Sequence, residues 1–143
     1  MAQPICVDAS LALKLVLDEA DSDKAQALWA GWITEERDIV APCHLMFEAT
    51  SVIRNHVFRK QLSAQAGRRA FDALLIQDIA LIHPVGLETR AWELAEAFNR
   101  PTVYDAFYLA LAEMLDGELW TADHRLYHAV QGALPWVKSL QNG

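Results

Sequence analysis

The chain has 143 residues, of which 53% are hydrophobic and 22% are charged, and its formal net charge is −7. This length suits a single domain, 1–143, and the composition excludes a disordered tail. Two cysteines exclude a disulfide scaffold, and no apolar run reaches the ~20 residues that span a membrane. Because the first residues lack the basic start of a signal peptide, we expect a cytoplasmic protein with Cys6 and Cys43 reduced and buried.

Short apolar runs bounded by turn residues predict five strands. The runs cover residues 4–8, 38–42, 80–85, 118–121 and 135–137. Because helical patterns separate them and no hairpin signal joins them, an α/β fold with a parallel sheet is predicted. Sheets of this kind bind ligands outside the carboxyl ends of their strands.

The segments between these strands repeat apolar residues at helical spacing. The helical patterns cover residues 25–33, 43–60, 70–75, 87–98 and 102–115. Ser63 is the predicted N-cap of the third helix, and the last helix is apolar on nearly every side, so we expect it to be buried. Two helices lie between the third and fourth strands. Either the first of them crosses the sheet, or the 99–102 connection returns to the other edge.

Four acidic residues fall where such a sheet would gather them. Asp8 ends the first strand and Asp123 follows the fourth, while Glu48 and Asp105 lie near the starts of two helices that face the same edge. Crowded carboxylates repel one another, so a cation is needed to balance them. Oxygen ligands suit Mg²⁺ or Mn²⁺, and such an ion can activate water and stabilise a leaving oxygen in phosphodiester hydrolysis.

Each of these acids also has a purely structural interpretation. Asp8 and Asp123 could be helix N-caps, and Thr102 with Asp105 could form a variant of the capping box. Glu48 stands in a mostly apolar helix, where an unpaired charge is costly, so its alternative is a buried ion pair.

Four stretches of the chain carry these acids. They are VDASLALKLVLDE (7–19), PCHLMFEATSVI (42–53), VYDAFYLALAE (103–113) and LWTADHRL (119–126). In order and spacing they resemble the PIN-domain family, and within it the VapC-type toxins of type II toxin–antitoxin pairs. The resemblance implies a five-stranded parallel sheet in the order 3-2-1-4-5, with helices on both faces. It also implies a metal-dependent endoribonuclease that leaves a 5′-phosphate and a 3′-hydroxyl, a homodimer, and a cognate VapB-type antitoxin bound over the site.

The resemblance also assigns individual positions of this chain. The residues that match the acidic quartet are Asp8, Glu48, Asp105 and Asp123. Three of these, all but Glu48, are expected to hold the metal directly or through water, and Glu48 either ligates the metal or acts as the general base.

Three further positions match less central places in the family pattern, and one place departs from it. Ser10 and Thr121 match small polar positions near the metal, and Glu19 matches a frequently acidic position after the first helix. Some members carry a further acid just beyond the last motif, where this chain has Arg125 and Leu126, so a site with that extra ligand is not expected here.

The positive charge is concentrated between Glu48 and Asp72, where no acid occurs. The basic residues there are Arg54, Arg59, Lys60, Arg68 and Arg69, and two more, Lys14 and Arg125, lie close in sequence to the acids. The segment 54–69 has three possible interpretations. It binds RNA phosphates, it binds an acidic antitoxin, or it is a solvated helical hairpin.

His124 and His128 have the spacing of a helical zinc pair, but no third ligand is evident. Zinc is therefore not expected at this pair.

Two other functional classes remain open. One is a catalytically silent PIN-like protein that binds RNA or a partner. The other is a receiver-like phosphoacceptor domain, which needs an adjacent acid pair at the end of its first strand. Val7 and Ala9 flank Asp8 instead, which argues against the receiver.

Overall fold

A computed structural model describes residues 3–142, and its centre is a five-stranded parallel sheet. The strands are β1 (Ile5–Val7), β2 (Ile39–Ala41), β3 (Ala80–Leu81), β4 (Glu118–Thr121) and β5 (Val137–Ser139). Their order is β3-β2-β1-β4-β5, and every pairing is parallel. The predicted fold class and strand order are confirmed. Every residue of β1 and β2 is buried, as expected for central strands covered on both faces.

Four of the five predicted strands have different bounds in the structure. The first and the second, predicted over 4–8 and 38–42, are each one residue shorter at both ends. The third was predicted over 80–85 but ends at Leu81, and Pro84 has no N–H to extend the ladder. The fifth was predicted over 135–137 but begins at Val137. A turn in which the Val137 N–H donates to the Leu134 carbonyl occupies the preceding residues.

Within residues 3–142, seven α-helices connect the strands. They are α1 (Ala9–Val16), α2 (Ser22–Thr34), α3 (His44–Phe58), α4 (Ala64–Leu75), α5 (Leu87–Ala97), α6 (Tyr104–Met114) and α7 (His124–Val130). Ser63 caps α4 as predicted, because its side chain accepts the Ala66 N–H at 3.0 Å. Helix α6 is buried along most of its length, which confirms the interpretation of its apolar pattern.

The two cysteines differ in exposure. Cys6 is buried in β1, as predicted. The expectation that Cys43 is buried is wrong, because this residue stands at the N-cap of α3, where the chain leaves the sheet, and its side chain is exposed.

Helices α5 and α6 form an antiparallel pair. Arg90 in the first turns of α5 donates to both carboxylate oxygens of Glu113 near the end of α6. Because α6 leads directly into β4, α5 must begin at the amino edge of the sheet. After β3 the chain therefore runs back to the amino edge over residues 82–86, before α5 begins. The 99–102 connection is a tight turn between α5 and α6.

Among the described residues, no helix combines the length and the hydropathy that a membrane crossing requires.

We expect Gly67→Ala to destabilise the protein by about 1–3 kcal/mol, because overpacking a close helix contact forces the backbone apart. A Cβ at Gly67 would overlap the Val57 Cγ2 methyl where α4 packs on α3. The matched control is Gly31→Ala in α2, where a Cβ meets nothing within 4 Å and should add roughly 0.5–1 kcal/mol of helix stability. Urea unfolding measures both, and equal stabilities for the two variants would contradict the packing argument.

Candidate active site

Asp8 is a buried carboxylate at the carboxyl end of β1. It caps α1 by accepting the Leu11 N–H at 3.0 Å, and the hydroxyls of Ser10 and Thr121 donate to its two oxygens. Burial raises the pKa of Asp8 from 3.8 to about 6, although the three hydrogen bonds act in the opposite direction. The negative charge of Asp105 raises this pKa further, so these two carboxylates lie close enough to repel each other.

Hydroxyl groups link Asp8 to Asp123 across the sheet edge. Thr121 Oγ1 at the end of β4 accepts the Asp123 N–H at 2.9 Å, and Ser10 Oγ accepts the Ala122 N–H at 3.0 Å. These bonds hold the turn after β4 against the start of α1. Asp123 itself caps α7 by accepting the N–H groups of Arg125 and Leu126 in the first turn of that helix.

Asp105 lies in the first turn of α6 and pairs with Arg100. The Arg100 Nη2 atom is 3.1 Å from Asp105 Oδ2. The capping box that Thr102 and Asp105 could have formed is absent, because Val103 is the N-cap of α6 and no side chain caps that helix.

Glu48 is half-buried on α3 and faces α6. Its Oε1 accepts the Tyr108 hydroxyl at 3.0 Å, and His44 Nε2 lies 2.8 Å from the same oxygen without the alignment of a hydrogen bond. Burial raises the pKa of Tyr108, and the charges of Glu48 and Asp8 raise it further. The phenol therefore stays protonated and donates. Tyr108 therefore lies within electrostatic reach of both Glu48 and Asp8.

The four acids thus lie on one edge of the sheet, three of them at helix N-termini. Asp8 and Asp123 are N-caps and Asp105 is in a first turn, so the positive ends of α1, α7 and α6 partly balance their charges. Both structural interpretations of Asp8 and Asp123 as caps are correct, and capping leaves them at the position where the strands end. Capping and a functional role are therefore compatible.

The donors at this edge suit a hydrated divalent ion rather than a closed cage. Within residues 3–142, no three His, Cys, Asp or Glu side chains are already gathered as a metal-binding group. Mg²⁺ needs only one or two carboxylates, because it keeps several waters. Asp8 and Asp105 would provide two, and a bound cation would offset the burial and the negative charge that raise the pKa of Asp8. The residues present therefore fit Mg²⁺ or Mn²⁺ held mainly through water.

The predicted basic residues lie outside this cluster. Lys14 is 3.7 Å from Glu19, so these two side chains form an ion pair next to α1. Arg125 is exposed in the first turn of α7. The five basic residues of segment 54–69 are all exposed on the hairpin of α3 and α4, where Arg68 pairs with Asp72.

The two histidines on α7 stack with ring centroids 6.3 Å apart. No third metal ligand joins them among the described residues.

Two residues of the site were not predicted from the sequence. A signal for Tyr108 existed, since a tyrosine inside an otherwise apolar buried helix needs a hydrogen-bond partner. No local signal pointed to Arg100, because its contact with Asp105 depends on the turn between α5 and α6.

Comparisons with known proteins agree with this architecture. The PIN domain family matches residues 5–131. The chain is 34% identical over 131 residues to VapC ribonuclease Mb0985 of Mycobacterium bovis and, equally, to ribonuclease VapC9 of Mycobacterium tuberculosis, covering 92% of this chain and 94% of each relative. Ribonuclease VapC1 of Mycobacterium tuberculosis is 33% identical over 112 residues, covering 78% of this chain and 82% of the relative.

Two solved structures share the fold. VapC20 of Mycobacterium tuberculosis, described as a sarcin–ricin loop cleaving toxin, has a TM-score of 0.64 and 21% identity, covering 88% of this chain and 95% of its own. PAE2754 from Pyrobaculum aerophilum has a TM-score of 0.68 and 23% identity, covering 99% of this chain and 93% of its own. With sequence relatives that span nearly the whole chain, the protein belongs to the PIN domain family and, within it, to the VapC type.

Proposed function

We propose that this protein is a divalent-metal-dependent endoribonuclease toxin of a type II toxin–antitoxin pair. The observation that carries the proposal is the buried Asp8 carboxylate at the carboxyl end of β1, whose pKa is raised by its burial and by the charge of Asp105, so that a bound cation would stabilise it. Sequence relatives named VapC ribonucleases support RNA as the substrate.

In the proposed site, Asp8 and Asp105 would hold the Mg²⁺ or Mn²⁺ ion, and Asp123 would contribute through water. When bound, the ion would supply an activated water and stabilise charge on the leaving oxygen. Thr121 and Ser10 fix the orientation of Asp8 through the hydrogen bonds described above. Cleavage then leaves a 5′-phosphate and a 3′-hydroxyl.

Glu48 orients the attacking water or accepts its proton. Its Oε1 is already occupied by the Tyr108 hydroxyl, so the carboxylate is held at a set angle on α3. Tyr108 is thus a positioning residue, because it acts through Glu48.

The exposed basic hairpin is the proposed path of the RNA backbone. Arg54, Arg59, Lys60 and Arg69 face solvent there, and cations on one surface of an otherwise acidic protein attract phosphates. A cognate VapB-type antitoxin is the proposed inhibitor, and the active toxin is proposed to be a homodimer.

The proposal is tested with the purified chain and a mixture of cellular RNAs. We expect cleavage with Mg²⁺ or Mn²⁺, none with excess EDTA, and recovery when the metal is restored. The new 5′ ends should be ligatable without added kinase, because each carries a phosphate. Metal and RNA binding without cleavage of any RNA would instead favour the catalytically silent PIN-like protein.

A further inference from the structure

Arg100 is presented to the site by a rigid turn between α5 and α6. Asn99 has a positive φ of 49°, the Arg100 N–H donates to the Ala95 carbonyl at 2.8 Å, and Pro101 follows. These features hold the backbone at Arg100, so its side chain reaches Asp105 from a defined direction. The Arg100 side chain is only 18% exposed.

The guanidinium of Arg100 is only partly used. Nη2 donates to Asp105 Oδ2, while Nε is buried and has no hydrogen-bond partner within residues 3–142. A guanidinium can bind an anion through two parallel N–H donors, and Nε together with one terminal nitrogen forms such a pair of donors. If the ion pair between Arg100 and Asp105 served only stability, the buried Nε would also be expected to have a hydrogen-bond partner. Nε therefore remains available to donate to a further anionic oxygen.

Arg100 also pairs with one of the carboxylates that are proposed to hold the metal ion. Of the four acids of the site, Asp105 alone pairs with a lysine or arginine among the described residues, whereas Glu48 has only His44 near it. The cation on Arg100 thus offsets the charge of Asp105 in the structure without metal. A divalent ion bound to Asp105 would compete for the same oxygen.

We infer that Arg100 is a phosphate-binding residue that occupies Asp105 while no metal is present and moves to a substrate phosphate once the metal takes Asp105. This inference rests on the proposed ribonuclease function and deepens it. Metal binding would then prepare the site for RNA in two ways, because it supplies the ion and it also frees the arginine. Removal of the Arg100 side chain should therefore strengthen metal binding and weaken RNA binding.

The first test is metal binding without RNA. Calorimetric titration with Mn²⁺ should show several-fold tighter binding by Arg100→Ala than by the wild type, because the competing cation is gone. The control is Lys24→Ala, which removes the same charge from an exposed residue of α2 that pairs with Asp21. Its Mn²⁺ affinity should equal that of the wild type. Unchanged or weaker Mn²⁺ binding by Arg100→Ala would overturn the inference.

The second test is binding of a fluorescent single-stranded RNA in Ca²⁺, with a gel to verify that the RNA stays intact. Arg100→Ala should bind several-fold more weakly than the wild type, and the salt dependence should lose about 0.7 in slope, as for one phosphate contact. Without divalent ions the two proteins should bind equally. Arg100→Lys, which keeps the charge, should recover part of the affinity and serves as the second variant if Arg100→Ala does not fold.

Three outcomes separate the alternatives. Equal RNA affinity of Arg100→Ala and the wild type in Ca²⁺ overturns the inference. Weaker antitoxin binding by Arg100→Ala with unchanged RNA binding also overturns it, since the anionic oxygen would then belong to the protein partner. Absence of RNA cleavage by the wild type rejects the proposed function alone, because the two binding measurements still decide whether Arg100 exchanges between Asp105 and phosphate.

Discussion

Replacing Asp8 by Asn is expected to reduce metal-dependent RNA cleavage by a factor of at least about 100. The change removes one of the two carboxylates proposed to hold the ion, and a divalent ion contributes several kcal/mol of charge stabilisation in the transition state. The side chain keeps its size, and Asn can still accept the Leu11 N–H that caps α1. The loss should therefore come from the site and not from the fold. Initial cleavage rates at saturating Mn²⁺ measure it.

The matched control is Asp18→Asn, which makes the same chemical change at an exposed residue outside the helices. Its cleavage rate should match that of the wild type. If Asp8→Asn retained full activity, Asp8 would be only a helix cap, and the assignment of the site to this edge of the sheet would fail.

The same substitution should stabilise the protein at neutral pH when metal is absent, by about 1–3 kcal/mol. The pKa of Asp8 rises from 3.8 to about 6 on folding, chiefly through burial, so the folded state binds the proton more tightly than the unfolded state. The stability due to this proton is fully present below about pH 4 and is lost as the pH rises to about 6. Above that pH the ionised Asp8 opposes folding, whereas the asparagine of the variant carries no charge.

Urea unfolding in EDTA at pH 4 and pH 7.5 tests this expectation. Asp8→Asn should exceed the wild type in stability at pH 7.5, and the difference should largely disappear at pH 4. Mg²⁺ should stabilise the wild type more than the variant. A variant less stable than the wild type at pH 7.5 would mean that the hydrogen bonds from Ser10 and Thr121 to the carboxylate outweigh its burial.

These two results together would explain why a charged residue is retained at a buried position. Asp8 costs stability without metal and is proposed to be essential with it. Thr121 and Ser10 limit that cost, because their hydroxyls lower the pKa that burial raises.

Local patterns were sufficient to predict the main elements of the fold. Apolar strand segments alternate with amphipathic helical segments along the chain, and this order indicated a parallel sheet. Ser63 was recognised as a helix N-cap because N-capping depends only on neighbouring residues. Element ends were less accurate. The shift of the fifth strand to Val137 depends on a turn at Leu134 that the apolar pattern does not reveal.

The sequence by itself determined which residue types stand at the ends of the strands and at the starts of the helices, because periodicity and capping are local properties. That was enough to direct attention to Asp8 and Asp105. Only the tertiary structure decided which side chains form hydrogen bonds and ion pairs, because those contacts depend on how the helices and the turns between them are arranged in space. The hydrogen bond between Tyr108 and Glu48 arises from the packing of α6 against α3. The ion pair between Arg100 and Asp105 arises from the turn between α5 and α6. No local sequence pattern encodes either contact.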